Sequence, residues 1–249
     1  MVTTMKFAIL GYGKMGHQVE EILLREGHEI VAIVDNEEDW TRKMADFETA
    51  DVAIDFSMPS VAVQNMFNAF EHHVPIVVGT TGWLDRFEEV RRVCEEHGGS
   101  LVYGSNFSIG ANLFMQLNKE LAQMMETQSQ YSASLEETHH TAKKDAPSGT
   151  AICLAEDLLQ IVSRLSSWQL TDGPAPADDV LPVKANRVGN VPGTHTIQWH
   201  SEEDDITITH TAHSRKGFAL GAVKAALWLT RHPGIYDFQR IALELRIEN

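Results

Sequence analysis

The apolar run Phe7-Ala8-Ile9-Leu10 passes directly into Gly11-Tyr12-Gly13-Lys14-Met15-Gly16, and Val19, Ile22 and Leu23 then recur at helical spacing until Gly27. A strand that turns on G-x-G-x-x-G into a helix restricts a chain to few folds. Gly11 allows the tight turn, Gly13 lets the backbone approach a pyrophosphate, and Gly16 lets helix and strand pack closely. The unpaired N–H groups of the helix start then face the phosphates. The next apolar run closes on Asp35, where a carboxylate accepts the hydroxyls of a ribose. Glycine-rich turns are common, and a purely structural turn in another α/β protein is the competing reading. The strand, the helix and the acidic residue together favour a dinucleotide.

Short apolar runs follow at residues 30–34, 52–56, 76–78 and 101–103, separated by segments of helical character. Pro59 stands at a first-turn position ahead of Val63, Met66, Phe67 and Phe70, and Leu84, Phe87, Val90 and Val93 form another stripe. Such repetition with short connections predicts a doubly wound parallel sheet, an α/β domain of Rossmann type. Ligands of such sheets bind beyond the carboxyl ends of the strands, where Gly79-Thr80-Thr81-Gly82 and Gly104-Ser105-Asn106-Phe107 fall. Either segment could equally be a plain strand-to-helix turn.

After Asn106 the pattern changes. Leu113, Leu117, Leu121 and Met124 predict one long amphipathic helix, 131–135 a strand, and about 149–164 a second helix. A long loop bearing Ser166, Ser167, Gly173, Pro174, Pro176 and Pro182 comes next. Two period-two runs then set Thr194, Thr196 and Gln198 against His195, Ile197 and Trp199, and Thr207, Thr209 and Thr211 against Ile206, Ile208 and His210. That alternation predicts antiparallel or mixed sheet, hence a separate α+β domain. Residues 218–229 predict a helix with a broad apolar face.

With 43% hydrophobic and 22% charged residues, the chain is globular, and its net charge of −15 argues against nucleic acid or an anionic membrane as a partner. Cys94 and Cys153 read as packing thiols of a reducing compartment. No run approaches the ~20 apolar residues of a membrane span, and residues 1–5 are too short for a signal h-region, so the expected location is cytoplasmic.

The densest chemistry lies between Glu136 and Ala151. Asp145 or Ser148 can cap a helix that Thr150 and Ala151 begin, exposing the Gly149 and Thr150 amides beside the Ser148 and Thr150 hydroxyls. Just upstream stand His139, His140, Lys143 and Lys144. Imidazole and ammonium groups at a helix start make a receptor for a carboxylate-bearing substrate, with proton donors in reach. The competing reading is a solvated charged surface. A metal cluster with His195, His200, His210, His213, Glu136 or Glu137 is disfavoured, because no H-x-x-x-H or C-x-x-C spacing occurs and Lys143 repels a cation; no metal is expected.

Gly11–Gly16, Gly79–Gly82, Asn106-Phe107-Ser108-Ile109-Gly110 and above all the His139-His140 to Ala151 block resemble the 4-hydroxy-tetrahydrodipicolinate reductases, formerly called dihydrodipicolinate reductases. The resemblance runs from the first strand to the 218–228 helix. It implies a Rossmann-type domain at 1–106 and 215–249, and a substrate-binding and tetramerisation domain on a mixed sheet at 107–214. It implies NAD(P)H-dependent reduction of 4-hydroxy-tetrahydrodipicolinate, a small cyclic dicarboxylate of lysine and diaminopimelate biosynthesis, by a homotetramer. His139 matches a proton donor or acceptor, Lys143 a proton donor at the reacting imine, and His140, Ser148, Gly149 and Thr150 a substrate-carboxylate site. Gly11, Gly13, Met15, Gly16 and Asp35, with Gly79, Thr80, Thr81, Gly104, Ser105, Asn106 and Phe107, match cofactor contacts.

The chain departs from many relatives at Thr141 and Ala142, where more basic or imidazole side chains are usual. It departs also at Asn36, where some relatives carry an arginine able to meet a 2′-phosphate. Asp35 favours NADH, with Lys14, Arg42 and Lys43 close enough in sequence to soften the exclusion of NADPH. Two other readings stay open: a different two-domain nicotinamide enzyme, such as an amino-acid or semialdehyde dehydrogenase, and a nucleotide-sensing regulator without chemistry.

Overall fold

A computed structural model describes residues 3–173 and 177–245. The chain divides into two compact units, one made of residues up to Asn112 and from Arg215 onward, the other of Leu113–Ser214.

In the first unit β1 (Lys6–Leu10), β2 (Glu29–Val34), β3 (Val52–Asp55), β4 (Ile76–Val78), β5 (Leu101–Tyr103) and β11 (Ile235–Asp237) form one parallel sheet in the order β11-β5-β4-β3-β1-β2. Apart from Lys6 at the start of β1 and Asp55 at the end of β3, the central strands β1, β3 and β4 are apolar because both sheet faces are covered. On one face α1 (Lys14–Arg25), α7 (Lys216–Leu229) and α8 (Phe238–Ile241) pack with Phe7, Ile9, Ile54, Val77 and Phe107. On the other, α2 (Glu37–Phe47), α3 (Pro59–Glu71) and α4 (Phe87–Glu96) pack with Ala8, Leu10, Ala53 and Ile76. The expected parallel doubly wound sheet is present.

Apolar periodicity alone does not single out α2. Its signals are the Asn36 cap, whose side chain accepts from the Asp39 amide at 3.0 Å, and three acidic residues in the first turn. The short β11 and α8 also escape a periodicity reading, having too few residues to show a period.

In the second unit β6 (Ser132–His139), β7 (Ser167–Leu170), β8 (Val180–Arg187), β9 (Gly193–His200) and β10 (Asp205–Ala212) form a mixed sheet in the order β10-β9-β6-β8-β7. β9 runs antiparallel to both β6 and β10, whereas β8 is parallel to β6 and β7. One face is buried by Ala133, Leu135, Leu181, Val183, Ile197 and Trp199, with α6 (Gly149–Ile161) against it. The opposite face carries Ser134, Thr138, Thr194, Thr196 and Thr209, as period-two alternation requires.

Four expectations need correction. β6 runs to His139 instead of stopping at Leu135, because its inward positions continue as Glu137 and His139, polar residues that hide the strand pattern. Ser167 and Pro182 belong to β7 and β8, not to a long loop, while Pro174 and Pro176 lie outside the described residues. The second helix ends at Ile161, with Val162 as its cap. In α5 (Ile109–Met125) Leu113, Leu117 and Met124 are 48%, 48% and 68% exposed, and Phe114, Met115, Asn118, Ala122 and Met125 are the buried set. A helix apolar on two faces does not declare from periodicity which one is covered.

Candidate active site

In the first unit the glycine turn has the form its sequence demands. Gly11 has φ +85°, and a Cβ there would lie 2.5 Å from the carbonyl oxygen of Phe56. Gly16 packs in α1 against the Gly11 carbonyl, and a Cβ at Gly13 would meet nothing within 4 Å. The turn is therefore crowded on its protein side and open at the start of α1, as a phosphate cradle must be. Asp35 is exposed at the end of β2 and accepts the Tyr12 amide on Oδ1 at 2.6 Å. One carboxylate oxygen thus fixes the glycine turn and the other is left for a ribose. These residues fit a dinucleotide. Met15 is half-buried, packed against the sheet core.

The two later loops divide their roles. Thr81 and Ser105 are exposed, and Gly79 and Gly104 half-buried. Thr80 is buried with its hydroxyl on Asp55 at 2.5 Å, and the Phe107 ring is buried 4.4 Å from that of Phe238. The Thr80 and Phe107 side chains are thus turned into the protein, and Thr81 and Ser105 are the exposed members of their loops. Asn106 accepts the Ser108 amide and so shapes its own turn.

Sequence reading missed Asp55. Its fully buried carboxylate also receives the Ser57 backbone amide and hydroxyl and the Asn65 side-chain Nδ2, which with Thr80 tie the ends of β3 and β4 together. Burial pushes its pKa up, and the four donors hold it back.

The second unit gathers its chemistry around another carboxylate. Glu137 is 0% exposed. The Ser148 amide donates to both of its oxygens at 3.1 Å, and Arg187 Nη2 lies 3.1 Å from Oε1. Nδ1 of His139 and Nε2 of His195 lie 3.5 and 3.6 Å from Oε2. Strand pairing explains the assembly: Glu137 stands opposite His195 on β9, His139 opposite Arg187 on β8, and residues two apart on β6 share a face. Burial raises the Glu137 carboxyl, but hydrogen bonds from His195 and Ser148 and the charge of His139 outweigh it and bring the pKa down to about 2. His139 falls to about 4, chiefly through burial, with His195, Lys143 and Arg187 adding to the fall and Glu137 opposing it.

Ser148 caps α6 by accepting from Ala151 at 3.2 Å, and its carbonyl accepts from Ile152, so the Gly149 and Thr150 amides are not used by the cap. The Ser148 hydroxyl also lies 3.2 Å from His195 Nε2. Lys143, in the turn after β6, donates to Asp145, whose backbone carbonyl is held by Arg187. Thus Ser148, Gly149, Thr150, His139 and Lys143 belong to one constellation. The His140 carbonyl accepts the Lys143 amide at 3.1 Å, but no side-chain hydrogen bond links His140 or Lys144 to the constellation among the described residues. Glu137 enters the sequence reading only as a disfavoured metal ligand and Arg187 not at all, because strand register, not local spacing, brings them beside His139.

The Glu137, His139 and His195 ligand atoms lie within 4.8 Å of one another, a spacing a cation could use. Yet Glu137 is already matched by Arg187 and the Ser148 amide, and Lys143 adds further positive charge. The donor set fits an internal ion-pair network better than a metal.

Residues 5–107 match the model for the N-terminus of dihydrodipicolinate reductase and residues 110–241 the model for its C-terminus. A 4-hydroxy-tetrahydrodipicolinate reductase of Christiangramia forsetii is 46% identical over 241 residues, 97% of this chain and 99% of the relative. That of Methanococcoides burtonii is 36% identical over 76% of this chain and 72% of its own. The fold is similar to a dipicolinate-bound dihydrodipicolinate reductase from Paenisporosarcina sp. TG-14, with a TM-score of 0.76 at 19% identity, covering 96% of this chain and 100% of the other. With a pyridine-nucleotide fold in one unit and the His139–Lys143–Thr150 constellation in the other, the chain belongs to the dihydrodipicolinate reductase family.

Proposed function

We propose that the chain reduces 4-hydroxy-tetrahydrodipicolinate with NADH or NADPH, releasing water and giving tetrahydrodipicolinate. The observation that carries this reading is the grouping of Lys143 and His139 with the unspent first-turn amides of α6. A bound pyridine nucleotide supplies the hydride. The rest falls to the protein. The Gly149 and Thr150 amides with the Thr150 hydroxyl anchor a substrate carboxylate at the positive end of α6. The Lys143 ammonium offsets the electron density that reduction leaves on the ring nitrogen and adjacent carbon, and supplies a proton there. His139, a largely neutral imidazole near pH 7 by its position in the cluster, accepts or returns a proton. His140 completes the carboxylate site.

NADH is the favoured cofactor. Asp35 repels a 2′-phosphate, and two of the three basic residues that could soften this are engaged elsewhere, leaving Lys14 exposed at the start of α1. Arg42 donates to Asp39 at 3.1 Å, and Lys43 donates to the Ile33 carbonyl and lies 3.5 Å from Asp39. Steady-state turnover of 4-hydroxy-tetrahydrodipicolinate with each reduced cofactor tests the reading. Absence of turnover with both, in protein that binds dinucleotide, would overturn it.

A further inference from the structure

Glu137 lies behind the reacting groups. It touches no open surface, yet it contacts the two imidazoles, the cap of α6 and the guanidinium at the end of β8. The cluster holds four basic side chains, His139, His195, Arg187 and Lys143, around this one buried carboxylate. His139 Nδ1 faces it at 3.5 Å and is buried without a hydrogen-bond partner. A buried imidazole nitrogen left unpaired is costly, and a small ring rotation converts this contact into an N–H···O bond. At the other edge of the ring, Gly193 leaves room: a Cβ there would lie 3.0 Å from Nε2.

We propose that Glu137 is a positioning residue of the reductase site: anchored by the Ser148 amide and Arg187, its carboxylate accepts a hydrogen bond from Nδ1–H of His139 and leaves Nε2 as the atom that exchanges a proton with substrate. An imidazole held at one nitrogen by a carboxylate keeps one tautomer, and its transient cation is stabilised when the proton arrives at the other. Glu137 is the one neighbour whose charge favours a protonated His139; His195, Lys143 and Arg187 all oppose it. The inference rests on the reading of His139 as the proton-handling group, but its test does not.

The test uses full-length protein labelled with 15N-histidine, with the His139 resonances assigned from His139→Gln. At neutral pH, long-range 1H–15N spectra should show His139 as the Nδ1–H tautomer. In Glu137→Gln, where the amide offers an N–H as readily as an oxygen, that preference should disappear. Kinetically, Glu137→Gln should lower kcat about 10²-fold with KM nearly unchanged, within the 10²–10⁴ that a positioned acid–base group contributes. Glu137→Asp should restore part of it. Dinucleotide binding, which depends on the other unit, and the melting temperature identify variants that fail to fold. An Nε2–H tautomer in the wild type overturns the proposal, as does a folded Glu137→Gln with unchanged tautomer or normal kcat. If the wild type turned over no 4-hydroxy-tetrahydrodipicolinate, the reaction assignment would fall and the tautomer would still decide the role of Glu137.

Discussion

Lys143 Nζ lies 2.7 and 2.9 Å from the two carboxylate oxygens of Asp145, so the proposed proton source is held by a neighbour two residues along the chain. The Asp145 side chain is 60% exposed, and Arg187 grips its backbone carbonyl, not its carboxylate. Lys143→Ala should therefore cost about 10²–10⁴ in kcat, as loss of an acid–base group does. Asp145→Asn should cost less than about tenfold, because an exposed ion pair contributes little and the turn stays anchored. Thr150→Val should raise KM more than it lowers kcat, since a carboxylate contact is present in ground and transition states alike. Steady-state kinetics on the three variants checks the order.

Cofactor choice should follow Asp35. The ratio of kcat/KM for NADH over NADPH is expected to exceed unity in the wild type and to fall in Asp35→Ala through better use of NADPH. The same change removes the acceptor of the Tyr12 amide, so affinity for both cofactors should also drop. A wild type strongly preferring NADPH would contradict the geometry.

Acid should destabilise the second unit in two stages. His139 titrates at about 4 when folded against an ordinary 6.5, so the unfolded chain takes its proton first and stability falls as pH drops from about 6.5 to 4. Glu137 titrates at about 2 against an ordinary 4.5, so its contribution is intact above about 4.5 and is lost on approach to pH 2. His139→Gln should flatten the upper stage and, by removing one of the charges that hold the Glu137 carboxyl down, also narrow the lower one. Melting temperature against pH for wild type and variant decides this.

Assembly is expected to use the mixed sheet. Its Ser134, Thr138, Thr194, Thr196, Thr207, Thr209 and Thr211 face is uncovered in the single chain, and β10 is an edge strand with Ile206 exposed. A homotetramer near four times 27.8 kDa should appear in sedimentation at micromolar concentration. A fully active monomer would remove the idea.

Chelation should change nothing. Because Arg187 and the Ser148 amide already answer the charge of Glu137, dialysis against EDTA should leave kcat and the melting temperature as they were. Loss of activity restored by a divalent cation would reassign Glu137, His139 and His195 as ligands.

The sequence by itself determined the local features. The turn at Gly11–Gly16 follows from glycines that only one strand-to-helix geometry uses, the parallel sheet from continuous apolar runs, and the start of α6 from Ser148 before Gly149 and Thr150. Each is a local choice of backbone or cap, settled within a few residues. Tertiary structure alone decided which distant groups meet. Glu137 and Arg187 are 50 residues apart, and Ser148 and His195 47. Alternation assigns a residue to a face of a sheet but not to a partner, and partners come from strand order and register. The same reason explains why Thr80 and Phe107 turn inward and why α5 buries Phe114 and Met115 in place of Leu113 and Leu117: a side chain's role is set by what the fold packs against it.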